Sequence, residues 1–96
     1  MNLTQEDFQR AKRISRAIQD YLSETNQNGL RSTDLYPILA RKGLVEKDER
    51  NGKEFRTFLR KLKNAGVLKQ LIPQCEYRTT RNHFLEWHFY QQYSNK

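Results

Sequence analysis

The stretch that decides the fold is NGKEFRTFLRKLKNAGVLK, residues 51–69. Its apolar side chains recur every three or four residues, which predicts a helix with one buried face. They are Phe55, Phe58, Leu59, Leu62 and Ala65. Asn51 followed three residues later by Glu54 is typical of a helix start, and Gly66 is typical of a helix end. We therefore expect a helix over about residues 52–65.

The polar face of this helix has the chemistry of DNA recognition. Advancing about 100° per residue from Phe55 places four side chains opposite the apolar face, with Arg56 at their flank. They are Lys53, Thr57, Arg60 and Asn64. Arginine can form paired hydrogen bonds to guanine, asparagine can do so to adenine, threonine can meet a thymine methyl group, and lysine can contact phosphate or guanine.

Positive charge is concentrated in the same part of the chain. Between Lys53 and Arg81 eight cations face two anions, so this span carries +6 of the formal net charge of +7. The cations are Lys53, Arg56, Arg60, Lys61, Lys63, Lys69, Arg78 and Arg81. A basic polar face is ordinary on a helix, because Lys and Arg are good helix formers. Here the excess continues beyond the helix, which favours a surface that binds a polyanion such as duplex nucleic acid.

Two more helices are predicted upstream. Thr4 with Asp7 resembles a capping box and predicts a first helix over about residues 4–24. Its apolar stripe is Phe8, Ala11, Ile14, Ile18, Tyr21 and Leu22. After turn residues that end at Gly29 and a short strand-like link, a second helix over about residues 33–42 is expected, capped by Ser32 or Thr33 and stopped by Gly43.

Downstream, a β-hairpin is predicted over about residues 67–90, followed by a tail at 91–96. Its two strands are expected at 67–73 and 85–90, with a polar loop around residues 79–82. Alternation along the second strand directs Leu85, Trp87 and Phe89 to the core. The same alternation leaves Phe84, His88 and Tyr90 on the other face.

Length and composition point to one folded domain over residues 1–96. Hydrophobic residues make up only 35%, but five Phe, five Tyr and one Trp supply large buried areas. A single cysteine excludes an intramolecular disulfide and fits a reducing compartment. With no signal-like N-terminus and no apolar run near the roughly 20 residues of a membrane span, we expect a cytoplasmic protein, nucleoid-associated if it binds DNA.

Catalysis and metal binding have little support in the sequence. Cys75, His83 and His88 are the only soft ligands, and structural zinc usually needs four. Cys75 is better explained as a small buried hydrophobe. We find no phosphate-binding glycine loop and no nucleophile motif. The expectation is a protein that is not an enzyme and has no metal or cofactor.

The order helix, strand-like link, helix, loop, helix, hairpin resembles the winged helix-turn-helix superfamily of DNA-binding domains. The residues that carry the resemblance are GLRSTDL at 29–35 and EFRTFLRKLKNAGVL at 54–68, and it covers about residues 8–90. It implies an α+β fold of three helices followed by a two-stranded β-hairpin wing. It also implies that the third helix enters the major groove while the wing and the start of the second helix touch phosphates.

These roles can be assigned to residues of this chain. Base readout is expected from Arg56, Thr57, Arg60 and Asn64. Phosphate contacts are expected from Lys53, Lys61 and Lys63 and from Arg31 and Ser32 at the second helix. The wing residues are expected to reach a flanking minor groove or the phosphate backbone, and they are Arg78, Arg81 and His83. The predicted function is sequence-specific binding of double-stranded DNA by a transcriptional regulator or by a protein of a mobile-element or replication system.

Other functions stay open at this point. The aromatic hairpin could make a winged helix into a protein-interaction module, and an acidic protein partner would exploit the positive charge. Duplex RNA is a third target, which would require a different contact surface because its major groove excludes a helix. A homodimer that reads paired half-sites is also compatible with the sequence.

Overall fold

The computed structural model describes residues 3–92, and within them the fold is α+β, with four helices and a three-stranded antiparallel sheet. In chain order the elements are α1 (Gln5–Thr25), β1 (Leu30–Arg31), α2 (Ser32–Arg41), α3 (Lys53–Asn64), α4 (Leu68–Leu71), β2 (Cys75–Thr79) and β3 (Leu85–Phe89). The three predicted helices begin and end within one residue of α1, α2 and α3. Most of the predicted tail, residues 93–96, lies outside the described residues.

The N-terminus of α1 is closed by the capping box that the sequence predicts. The Asp7 N–H donates to the Thr4 hydroxyl at 3.1 Å, and the Thr4 N–H donates to the Asp7 carboxylate at 3.0 Å. The Thr4 N–H and then the ammonium group of Lys61 lower the pKa of Asp7. The buried face of α1 consists of Ala11, Ile14, Ala17, Ile18 and Leu22.

The sheet has three strands, so the predicted two-stranded wing is wrong in its strand count. Leu30 and Arg31 form β1, which pairs with β3 by placing Leu30 opposite Phe89. The Gly29 N–H adds a hydrogen bond of 2.8 Å to the Phe89 carbonyl. The strand order is β1-β3-β2. The strand-like link predicted at residues 30–31 is thus a strand, although its pairing with β3 could not be predicted from two residues.

The predicted strand at 67–73 is also wrong. Leu68 to Leu71 form the single-turn helix α4, and the first hairpin strand begins only at Cys75. The Ile72 N–H donates to the Leu68 carbonyl at 2.7 Å, so the backbone is satisfied locally and needs no sheet partner. Leu68 and Ile72 are both buried. Their four-residue spacing suits a helical turn, and a short apolar run does not distinguish a turn from a strand.

One hydrophobic core joins the helices to the inner face of the sheet. Trp87 and Phe89 are buried in it, as the alternation predicted. The Phe89 ring stacks on Phe55 with centroids 6.0 Å apart, which connects β3 to α3. Cys75 is buried as expected, and desolvation raises the pKa of its thiol to about 12. Within residues 3–92 no helix has both the length and the apolar character needed to cross a bilayer.

Candidate nucleic-acid interface

The N-terminus of α3 is capped by Asp48 and not by the predicted Asn51. The Asp48 carboxylate accepts backbone N–H groups from Arg50 at 2.9 Å, Gly52 at 3.0 Å and Glu54 at 3.1 Å. These hydrogen bonds, with that of Glu54 the largest, lower the pKa of Asp48 from 3.8 to about 2. The sequence pattern did not predict this role, because a capping residue is expected directly before the helix, whereas Asp48 lies four positions before the N-cap Gly52.

Tyr36 on α2 holds this capping loop in place. Its phenol accepts the Asp48 N–H at 2.7 Å and donates to the Asp48 carbonyl at 3.2 Å. Gly52 packs against the same ring and has φ +100°, and a Cβ there would lie 3.0 Å from Tyr36 Cβ and Cγ. The start of α3 is therefore set by contacts with α2.

A bidentate ion pair ties α3 to α1 at the flank of the predicted DNA face, opposite the flank that carries Arg56. The Arg10 guanidinium bonds the two Glu54 oxygens at 3.0 and 2.6 Å and donates through Nε to the Leu44 carbonyl at 2.9 Å. It also lies 4.4 Å from the centroid of the Phe58 ring. Glu54 is the one acid on α3, and Arg10 balances its charge.

The four side chains predicted to point outward from α3 are all exposed. We call Lys53, Thr57, Arg60 and Asn64 the outward stripe. Within residues 3–92 none of these side chains forms an ion pair, and the hydrogen bonds of α3 side chains come from other positions. The stripe thus presents a cation, a hydroxyl, a guanidinium and an amide to solvent.

Two other predicted site residues on α3 are engaged within the protein. Arg56 donates to the carbonyls of Asn51 at 2.9 Å and Arg50 at 3.0 Å, so its guanidinium holds the capping loop. Lys61 forms an ion pair with Asp7 of α1 at 3.0 Å. Periodicity placed both near the polar face, but their partners come from the loop before α3 and from a distant helix.

Lys63 links α3 to the hairpin. Its ammonium group lies 5.3 Å from the centroid of the Tyr77 ring on β2, at the distance of a cation–π contact. The Tyr77 ring in turn lies 5.8 Å from that of Trp87. This contact places the basic end of α3 beside the first hairpin strand.

The start of α2 differs from the predicted phosphate site. Arg31 is its N-cap residue, and the Asp34 carboxylate accepts the Arg31 N–H at 2.9 Å, so neither Ser32 nor Thr33 is the cap. Ser32 is only 5% exposed. Asp34 already supplies the negative charge that the helix N-terminus favours, so the site is less suited to a phosphate than expected. The Arg31 side chain itself is exposed.

A charge cluster on the outer face of the sheet was missed from sequence. Glu86 lies 3.3 Å from Arg78 Nε, 3.4 Å from His88 Nε2 and 4.0 Å from an Arg31 nitrogen. The hydrogen bond from His88 and then that from Arg78 lower the pKa of Glu86. Arg78 and Glu86 stand directly opposite each other on the two strands, so a correct hairpin register would have paired them.

The hairpin tip carries the remaining predicted wing residues. Arg81 and His83 are both exposed there, beside Phe84. The stretch from residue 77 to residue 85 holds Arg78, Arg81 and His83 and no acid. The hairpin tip is therefore a basic stretch separate from the outward stripe.

The three soft ligands do not converge. Cys75 is buried, whereas His83 lies at the exposed tip and His88 contacts Glu86. In the part of the chain that the structure describes, no three His, Cys, Asp or Glu side chains form a group that could hold a metal ion.

No family model matches the chain, and neither a curated protein nor a solved structure matches it.

Proposed function

We propose that this chain is a winged-helix domain that binds double-stranded DNA sequence-specifically, with α3 in the major groove. The order α1, β1, α2, α3 and then a hairpin supports the winged-helix assignment. With β1 counted, the wing belongs to a three-stranded sheet. A transcriptional regulator or a DNA-binding protein of a mobile-element or replication system would use such a domain.

The outward stripe is the observation that carries this proposal. From Lys53 to Asn64 it extends along about 16 Å of helix, the length of four to five base pairs. All four side chains are exposed, and the acid at the start of the helix is held by Arg10 on another side. A stripe of this composition matches the donors and apolar groups that read base edges.

The geometry supports a narrower set of roles than the sequence did. Base readout is proposed for Thr57, Arg60 and Asn64, and a phosphate contact for Lys53. Lys63, Arg81 and His83 are placed to add flanking contacts, as are Arg31 and Arg78 if they exchange Glu86 for phosphate. Arg56, Lys61 and Ser32 are better explained by their contacts within the protein.

Substitution of Arg60 tests the readout assignment. A duplex is first selected from a random library, and its affinity and that of a scrambled duplex are then measured by fluorescence anisotropy. Arg60→Ala should lose about 1–3 kcal/mol of discrimination between the two, because a guanidinium–guanine contact is removed.

Arg16→Ala is the matched control. Arg16 is exposed on α1, on the side opposite the buried face, and its replacement removes the same charge. It should leave discrimination unchanged. If Arg60→Ala lowers the affinity for the selected and the scrambled duplex equally, the readout assignment is rejected. If the protein binds no duplex near 50 mM salt, the proposed function is rejected.

A protein-interaction module is the second candidate. Phe84 and Tyr90 are 69% and 40% exposed, which is unusual for large aromatic side chains. If this function holds, Tyr90→Ala and Phe84→Ala should abolish capture of an acidic protein partner while Arg60→Ala has little effect. Duplex RNA that outcompetes duplex DNA at equal salt would instead point to RNA.

A further inference from the structure

Phe84 is the most exposed large hydrophobic side chain in residues 3–92, at 69%. Residues 85, 87 and 89 of the same strand face the core, so Phe84 and Glu86 lie on the outer side. Tyr90 is the nearest exposed aromatic residue along that side, about 20 Å away at the rise of a strand. On the outer side Phe84 is therefore an isolated apolar side chain, because Tyr77, the other exposed aromatic residue of the hairpin at 45%, pairs with the inward-facing Trp87.

The turn that presents Phe84 is closed by three hydrogen bonds. The Thr80 N–H donates to the Phe84 carbonyl at 2.7 Å, and the Phe84 N–H donates to the Thr80 hydroxyl at 3.2 Å. The His83 N–H donates to the Thr80 carbonyl at 3.0 Å, and His83 has φ +63°. This is the three-residue hairpin loop that ends in a left-handed residue. The backbone of Phe84 is thus held in place before any partner arrives, which lowers the entropy cost of binding.

Charge around the tip favours a polyanionic partner. Arg81 and His83 flank Phe84 and are exposed, and the tip from residue 77 to residue 85 contains no acid. The first acid beyond it, Glu86, is engaged by Arg78 and His88. Protein-docking hot spots are clustered and surrounded by neutral contacts, whereas this single ring lies on a tip that carries the guanidinium of Arg81, unpaired within residues 3–92, and no acid.

We propose that Phe84 inserts between adjacent base pairs of duplex DNA from the minor groove, with Arg81 and His83 on the phosphates at either side. Insertion of an apolar side chain unstacks one base step and kinks the duplex, a cost that the additional protein contacts repay. The inference rests on the proposed DNA binding and adds DNA deformation by the wing to it.

We call the inserted Phe84 side chain the wedge. Two optical signals test it on the full chain. The selected duplex is prepared with 2-aminopurine at successive positions beside the α3 site, and a second sample carries a donor and an acceptor dye at its ends. Binding should raise 2-aminopurine emission at one step, because that base unstacks, and shorten the end-to-end distance. Phe84→Ala should abolish both signals and weaken binding about tenfold, while Phe84→Leu should keep most of each.

Controls separate the wedge from the recognition helix. Arg60→Ala should weaken binding but retain both signals at saturation, and Tyr90→Ala should behave as the unaltered protein. The wedge is rejected if the duplex binds but neither signal appears, or if Phe84→Ala changes neither the signals nor the affinity. A protein partner would then be the better explanation for the exposed tip. If no duplex DNA binds at low salt, the proposed function fails together with the wedge.

Discussion

At the scale of single residues, Asp48 is a half-buried loop acid on which several contacts at the start of α3 depend. One carboxylate closes three backbone N–H groups at the start of α3, and Tyr36 holds its own backbone. No base contact is assigned to Asp48, yet the position of Lys53 and Thr57 depends on this loop. We therefore expect the order of the interface to depend on a residue outside it.

Asp48→Ala should lower the midpoint of thermal unfolding at pH 7. Because hydrogen bonds lower the pKa of Asp48 from 3.8 to about 2, its contribution to stability is present above pH 3.8 and is lost as the pH falls through about 2. Circular dichroism melts of both proteins between pH 7 and pH 2 should show their difference narrowing over that range. Glu49→Ala, an exposed neighbour, is the control. A difference that stays constant with pH would contradict this role.

At the scale of elements, α3 has two separate surfaces. Its inner side is held by the Phe55–Phe89 stack and by the Arg10–Glu54 ion pair, while the outward stripe is exposed. The strand β3 shows the same division. Its inner residues pack against the helices, whereas Phe84, the residue that precedes the strand, is exposed. Binding residues and folding residues can therefore be altered independently.

Two alanine substitutions, one at the end of β3 and one just before its start, should differ greatly in their effect on the free energy of unfolding. Phe89→Ala removes a fully buried ring and should cost about 3–5 kcal/mol of unfolding free energy. Phe84→Ala removes an exposed ring and should change it by less than about 0.5 kcal/mol. Urea denaturation followed by tryptophan fluorescence measures both. Comparable losses would mean that Phe84 contributes to the core.

At the scale of the whole molecule, folding neutralises part of the basic charge of residues 53–81 and leaves the rest of that charge on α3 and the hairpin tip. Three ion pairs engage cations of this span: Asp7 with Lys61, Glu76 with Lys69, and Glu86 with Arg78. Among residues 53–81, Lys53, Arg56, Arg60, Lys63 and Arg81 have no carboxylate partner within the described chain. Within this span the unpaired charge therefore lies on α3 and at the hairpin tip.

The salt dependence of DNA binding should reflect this distribution. Three to five phosphate contacts predict a slope of about −3 to −4.5 in a plot of log affinity against log salt concentration. Lys53→Ala should flatten the slope by about one, whereas Arg16→Ala should not alter it. Anisotropy titrations between about 50 and 200 mM salt measure the slope, and a stoichiometry of two chains per duplex would indicate a homodimer. A slope near zero would argue against phosphate binding.

Several features follow from the spacing of residues along the chain. Three- and four-residue spacing predicted α1 and α3 to within one residue, and the 100° rotation per residue predicted the exposure of Lys53, Thr57, Arg60 and Asn64. Alternation predicted the burial of Trp87 and Phe89. Each is a local property, because the geometry of one helix or strand decides which side chains share a face.

Other features depend on residues that meet only when the chain folds. Leu30 becomes part of a strand through β3, Lys61 is engaged by Asp7, and Glu86 pairs with Arg31 of β1 as well as with Arg78 of β2. Spacing and propensity do not encode the pairs Leu30–Phe89, Lys61–Asp7 and Arg31–Glu86, since their members lie more than 50 residues apart in the sequence. The local pattern therefore determined α1, α2, α3 and the face that is proposed to bind DNA. Tertiary contacts determined which cations near that face are engaged within the protein, because a charge paired within the fold must give up its partner before it can contact a phosphate.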